Sequence, residues 1–364
     1  MNTKNPIRWG LLGAGQVAHK FAEGIRSLPD AVVSAVGTRD SKKADTFAEE
    51  HGIPAAHGNL ADLIADPTID VIYVSTPSGL HHEHCILCLE GGKPILCEKP
   101  FAVSQAQAEE VFSLAKKRNL FAMEAMWMRF IPGIVRLEEL IAEGVIGDVR
   151  MVQASFSFRT RKVAEHRLFN PKLGGGALLD VGIYPLALAQ LLLGEPEEVT
   201  GVAEIGDSGV DEQCVMSLRY AEGRIATLNA AIRTQVPIEA HVYGTKGRIR
   251  LHSAMYRPTR LSVIPQYDPD TETGGFVAAA LPLRLARKVR RSLRILRGRE
   301  PEGQHFEVPF DSTGYQYQAT AVGECLRKGL VECPRMPHSA TLSCLNAMDQ
   351  LRSSWGLSGS TPNS

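Results

Sequence analysis

A chain of 364 residues with 40 Lys+Arg against 40 Asp+Glu and 44% apolar content is long enough for two domains of roughly 100–200 residues each. Zero formal charge argues against the basic surface that nucleic-acid binding needs, and 33 Gly with 21 Pro is far from a low-complexity composition. No run of about 18 apolar residues suggests a membrane span, and the start MNTKNPIRWGLLGAG lacks the apolar core of a secretory signal. Seven cysteines scattered over the chain fit reduced thiols, so a cytoplasmic setting is the expectation.

Residues 7–12 (IRWGLL) read as a strand, and GAGQVA follows with a helical stretch to about Leu28. Gly13 permits the turn, Gly15 lets the backbone approach a pyrophosphate, and Gln16, Val17 and Ala18 open a helix whose free N–H groups suit an anion. A second strand at 32–36 ends in Thr38-Arg39-Asp40. An acidic residue there would select a ribose 2′-hydroxyl, whereas Thr38 and Arg39 suit a 2′-phosphate. NADP is therefore the favoured dinucleotide and NAD the alternative, with Asp40 read as the N-cap of the next helix.

Helices near 59–65, 80–91 and 104–118 alternate with strands at 70–75 and 94–97. That alternation predicts an α/β Rossmann domain over residues 1–125, a doubly wound parallel sheet with ligands at its strand ends. Two segments sit at such ends: Thr76-Pro77-Ser78 with His81, and Glu98-Lys99-Pro100. A lysine at a strand end and directly before proline projects toward the crevice or lies solvated in a loop; sequence physics leaves both open. Cys85-x-x-Cys88 beside His81, His82 and His84 raises a metal or redox site, but the cysteines lie in an apolar helical pattern without a second ligand pair. No metal is expected.

GAGQVA, STPSGLHHEH and CEKPF together resemble the Gfo/Idh/MocA oxidoreductases, and MEAMWMRF with GGGALLDVGIY is similar to the branch of dimeric dihydrodiol dehydrogenases and NADP-dependent D-xylose dehydrogenases. The resemblance implies hydride transfer between NADP(H) and a hydroxyl-bearing carbon. It makes Lys99 and Tyr184 the catalytic pair with Asp180 in support. If residues 177–193 are helical, Asp180 and Tyr184 share one face. An ammonium beside Tyr184 would stabilise its phenolate. The family commonly has Asn where Ser78 stands, which weakens that contact to the cofactor.

After residue 125, β-favouring runs at 148–158, 198–206, 213–219, 224–232, 238–243 and 248–252 follow one another with a helix at 134–143 and an apolar helix at 177–193. They predict a C-terminal α+β domain over 126–364 with a large, open, mainly antiparallel sheet, whose terminal helices return toward the first domain. The resemblance implies that the sheet's outer face builds a homodimer or larger homo-oligomer. Trp127 and Arg129 are candidates for binding substrate, with Phe156 and Phe158 near them.

Residues 281–300 carry eight of the 40 basic residues, leaving 32 basic against 39 acidic elsewhere. Leu285, Val289, Leu293 and Leu296 give this segment an apolar stripe at helical spacing; it reads as a packed helix, a patch for an anionic partner, or a lid over an anionic substrate. The leading expectation is an oxidoreductase acting on a sugar or cyclic trans-diol. A reductase of a keto-sugar, nucleotide-linked or not, is the second reading, and a non-catalytic nicotinamide-binding regulator the third.

Overall fold

The computed structural model describes residues 5–163, 166–265 and 303–357. The basic segment 281–300 lies outside them. Among the described residues, the first sheet holds six parallel strands in the order β3-β2-β1-β4-β5-β6, namely β1 (Ile7–Leu12), β2 (Ala31–Gly37), β3 (Ala55–His57), β4 (Val71–Val74), β5 (Ile95–Glu98) and β6 (Ala122–Ala125). Strands β1, β4 and β5 are buried almost throughout and read as short apolar runs, as parallel strands covered on both faces do. Helices α1 (Gln16–Arg26), α2 (Ser41–His51), α3 (Leu60–Ala65), α4 (His81–Glu90) and α5 (Gln105–Arg118) form the crossovers. In α1 the buried Ala18, Phe21, Ala22 and Ile25 fall at helical spacing and face the sheet.

Beyond α6 (Pro132–Ala142), the second sheet runs β14-β13-β12-β11-β7-β10-β9-β8. Its strands are β7 (Val149–Ser157), β8 (Glu198–Ile205), β9 (Asp211–Arg219), β10 (Ile225–Ala231), β11 (Ala240–Gly244), β12 (Gly247–Leu251), β13 (Arg260–Pro265) and β14 (Gln304–Glu307). All neighbours pair antiparallel except β7 with β10. The inner face carries α7 (Ile183–Leu193), which is apolar all round and buried almost completely, as a central helix must be. Residues Pro171–Leu193 have the length and mean hydropathy, 1.7, of a membrane helix, yet 89% of that window is buried within the fold, so they are a core segment. The outer face is open and carries Val202 (71% exposed) and Val215 (51%) beside a concavity of about 640 Å³.

Helices α8 (Tyr315–Arg327) and α9 (His338–Ser354) recross to the first sheet's layer. The first packs on α1 and pairs Arg327 with Asp30 at 2.9 Å; the second packs on α5 and α7. Thr341 donates to the buried Glu124 carboxylate at 2.9 Å, and Asp349 accepts from the backbone of Gln105 at 2.8 Å. The Rossmann layer is thus completed by the end of the chain.

Candidate active site

A crevice of about 710 Å³ runs along the C-terminal ends of β1, β2, β4 and β5 and is closed from the other lobe by His166, Arg167 and Asp180. Gly13 ends β1 at φ 109°, and a Cβ there would stand 3.1 Å from the Ser75 carbonyl. Such a turn favours glycine. Gly15 precedes α1, where a Cβ would meet no protein atom within 4 Å, and no side chain caps the helix. The first N–H groups, at Gln16 and Val17, therefore face the crevice without a side-chain cap, while Ala18 is fully buried against the sheet. This cradle fits a pyrophosphate.

At the β2 end, the Asp40 carboxylate accepts from the Lys43 backbone N–H at 3.3 Å and caps α2. Thr38 is occupied too, its hydroxyl donating to the Asp40 carbonyl at 2.7 Å. Arg39 and Lys43 line the crevice there. Two cations and a carboxylate committed elsewhere suit a 2′-phosphate.

The β4 end departs from a simple cofactor wall. The Ser78 hydroxyl donates to the Leu173 carbonyl at 3.1 Å, across the two lobes, and a Cβ on Gly79 would fall 2.2 Å from the Lys172 carbonyl. Ser78, which lines the crevice, therefore also joins the two lobes. Thr76 meets His84 Nδ1 at 2.9 Å through its hydroxyl, and Pro77 lies beside it. His81 is buried with Nδ1 at 2.8 Å from the Pro100 carbonyl and Nε2 at 2.7 Å from the Thr76 carbonyl. Burial pushes its imidazole down to about 4 against the pull of the two carbonyls, and the ring braces the β4 loop against the β5 loop. Cys85 and Cys88 are fully buried, and burial holds the Cys88 thiol well above its usual range. They pack as small apolar side chains.

At the β5 end, Lys99 donates from Nζ to the Asp180 carbonyl at 2.6 Å, stands 3.8 Å from Asp180 Oδ1, and lies 4.9 Å from the centre of the Tyr184 ring. Arg167 Nη1 donates to Asp180 Oδ1 at 2.7 Å. Burial works to raise the Asp180 carboxyl, but Lys99 and Arg167 outweigh it and hold the group below the usual carboxylate range. Asp180 is ionised. Glu98 accepts from the Tyr73 hydroxyl in a short contact and from the Lys99 backbone N–H at 3.2 Å; burial pushes its carboxyl up to about 7.

Tyr184 stands deeper, in an aromatic cluster with Trp127, Phe156, Tyr256 and Tyr315. The Trp127 indole donates to the Tyr184 hydroxyl oxygen at 3.0 Å. Burial holds the phenol well above its usual range, with Tyr315 and Glu98 adding to the shift and the Trp127 donor opposing it. Burial thus favours the neutral phenol at Tyr184, with the Trp127 donor working for the phenolate. Trp127 spends its polar atom on Tyr184 and its ring on Tyr315, 4.7 Å away.

Arg129 is a correction. It is buried away from the crevice, donating to the Arg335 carbonyl at 3.4 Å and facing Glu124 and Glu138. Its guanidinium keeps that one hydrogen bond, leaves Nε buried without a partner, and does not line the crevice.

Asp180 and Tyr184 share one helical segment, but its first turn, Leu178–Gly182, is π-helical. Asp211 holds that turn by accepting from the Leu178 N–H at 2.6 Å. Gly176, at φ 119°, allows it: a Cβ there would lie 2.2 Å from Asp211 Oδ1. Sequence reasoning missed Arg167, Asp211, Tyr256 and Tyr315. Each enters from a distant element, and only Tyr315, at the head of a helix after Gly314, carried a local signal.

The fold and crevice define an NAD-binding oxidoreductase. Residues 7–126 match the model of an oxidoreductase family with an NAD-binding Rossmann fold, and residues 134–250 match the GFO/IDH/MocA C-terminal domain. The chain belongs to the Gfo/Idh/MocA oxidoreductase family. It is 35% identical over 355 residues to trans-1,2-dihydrobenzene-1,2-diol dehydrogenase of Xenopus tropicalis, covering 94% of this chain and 96% of that one. To the Homo sapiens enzyme of the same name it is 31% identical, covering 96% and 97%. Among solved structures it resembles KijD10, a 3-ketoreductase from Actinomadura kijaniata in complex with NADP and TDP-benzene, with a TM-score of 0.79 and 25% identity over 96% of this chain and 98% of that chain.

Proposed function

We propose that the chain is an NADP-dependent oxidoreductase that interconverts a CH–OH group and the corresponding carbonyl on a sugar or cyclic trans-diol. The observation that carries this reading is a crevice with Lys99 and Asp180 at its inner end, the hydrogen-bonded Trp127-Tyr184 pair directly behind Lys99, and an uncapped helix N-terminus, Arg39 and Lys43 at its outer end. Gly13, Gly15, Gln16 and Val17 would hold the pyrophosphate, Arg39 and Lys43 the 2′-phosphate, and Thr76, Pro77 and Glu98 flank the remainder.

The nicotinamide, when bound, supplies or accepts the hydride. The chain's own part is the proton and the charge. In reduction, Tyr184 gives its O–H proton to the oxygen of the substrate as negative charge builds there, and Lys99 stabilises that charge. The Trp127 indole stabilises the tyrosinate left behind. Asp180, paired with Arg167, fixes the ammonium through its carbonyl and carboxylate. In oxidation the steps run in reverse: the tyrosinate form, stabilised by the Trp127 indole, takes the substrate hydroxyl proton as the hydride leaves carbon.

Titration with NADPH and NADH, then a panel of aldoses, inositols, trans-diols and keto-sugars read at the nicotinamide absorbance, tests the proposal. Tighter NADPH binding and turnover of at least one polyol or diol class are expected; preference for NADH would overturn the reading of Arg39. A keto-sugar reductase, nucleotide-linked or not, is the second reading. It is favoured by the exposed Arg167 at the crevice wall and by the TDP ligand of the solved relative. The open sheet face around Val202 and Val215 is our proposal for the contact of a homo-oligomer.

A further inference from the structure

Where the first turn of α1 meets the end of α2, two imidazoles and a carboxylate converge. His19 Nδ1 lies 2.7 Å from His51 Nε2 and 3.7 Å from Glu50 Oε1, and the three atoms fall within 4.8 Å of one another. Phe47 packs against both rings, each with its centroid 4.5 Å away, so their orientation is held by more than their mutual contact. Glu23 follows His19 by four residues on the same helix face and acts electrostatically on His51. The neutral pair has room for a single proton between the two nitrogens, and His51 Nδ1 is buried without a hydrogen-bond partner in either tautomer. The arrangement is costly as a hydrogen bond and apt as a donor set.

We infer that His19, His51 and Glu50 bind a first-row divalent transition ion, with zinc, nickel or cobalt fitting an N2O set and water completing the coordination. At metal–nitrogen distances of about 2.0–2.1 Å the two nitrogens need to stand roughly 3.3 Å apart, a small ring rotation from their present spacing. The ion takes the place of the shared proton. Arg26, which donates to the His51 carbonyl at 3.3 Å, sets a cation nearby and keeps the affinity below that of a closed structural zinc site. Occupancy would clamp α1, whose N-terminus forms the pyrophosphate cradle, to α2, whose first turn carries Lys43. The inference is independent of the substrate and of the proposed chemistry.

The test uses the full chain without an affinity tag, stripped with chelator and titrated with zinc against a chromophoric competitor. One equivalent is expected, with His19→Ala and His51→Ala each weakening binding about tenfold or more and Glu50→Gln weakening it less. NADPH titration of the same variants reports whether the fold is intact. In the unmutated chain, zinc should also shift the ring resonances of His19 and His51 by NMR. No stoichiometric binding, wild-type affinity in either histidine variant, or unmoved histidine resonances would each overturn the site.

Discussion

Tyr184 is where chemistry and environment meet most closely. Its hydroxyl accepts from Trp127 and lies in a buried aromatic cluster, so it stores a proton across the physiological range. Tyr184→Phe should lower turnover on the order of 10²–10⁴ while leaving NADPH affinity nearly unchanged, because the phenol lies behind the crevice wall; stopped-flow hydride transfer and a binding titration measure the two separately. Trp127→Phe keeps the ring stacked on Tyr315 but removes the N–H. It is expected to slow turnover by a smaller factor, about tenfold, with KM little changed. Equal kcat in wild type and that variant would show that the indole hydrogen bond does nothing for the tyrosine.

Among elements, the π-helical turn Leu178–Gly182 governs the site, since it sets Asp180 toward Lys99 while the helix carries Tyr184 onward. Asp211 holds it from another strand. Asp211→Ala strands the Leu178 N–H in the interior and should cost about 1–3 kcal/mol by urea unfolding, with turnover falling more than cofactor affinity. The strand and helix pattern of the first lobe was legible because each crossover alternated cleanly with an apolar run. The short β3 and β6 were not, having three and four residues with little β-branched character. In the second lobe β14 is short, polar and mostly exposed, so its pairing with β13 left no pattern in its own residues. GAGQVA could be read locally because a backbone turn dictates it, whereas the residues around Lys99 left its direction open and only the family resemblance aimed it at the crevice. Arg129 could not, since its neighbours Arg335 and Glu138 are brought in by tertiary packing.

For the whole molecule, buried ionisable groups pull the pH dependence of stability in opposite directions. Glu98 rises from 4.5 to about 7 and Asp211 from 3.8 to about 7, so the native state keeps protons that the unfolded chain has shed. Their contribution is complete below the unfolded values and is lost as pH rises toward 7. His81 falls from 6.5 to about 4, so its contribution is lost as pH drops through that window. Thermal melts between pH 4 and 8 should therefore show Glu98→Gln flattening the decline toward neutrality and His81→Gln flattening the acid limb. Parallel curves for wild type and variants would mean that neither group changes protonation on folding.

The return of α8 and α9 to the Rossmann layer bears on how the protein is made. During synthesis the six-stranded sheet leaves the ribosome more than a hundred residues before the helices that cover its flank, and α1, α5 and the buried Glu124 must wait for partners not yet translated. The nascent first lobe is thus a client for holding chaperones until the last helix emerges. Its expression as an isolated fragment should yield aggregates, rescued when residues 303–357 are supplied as a second chain.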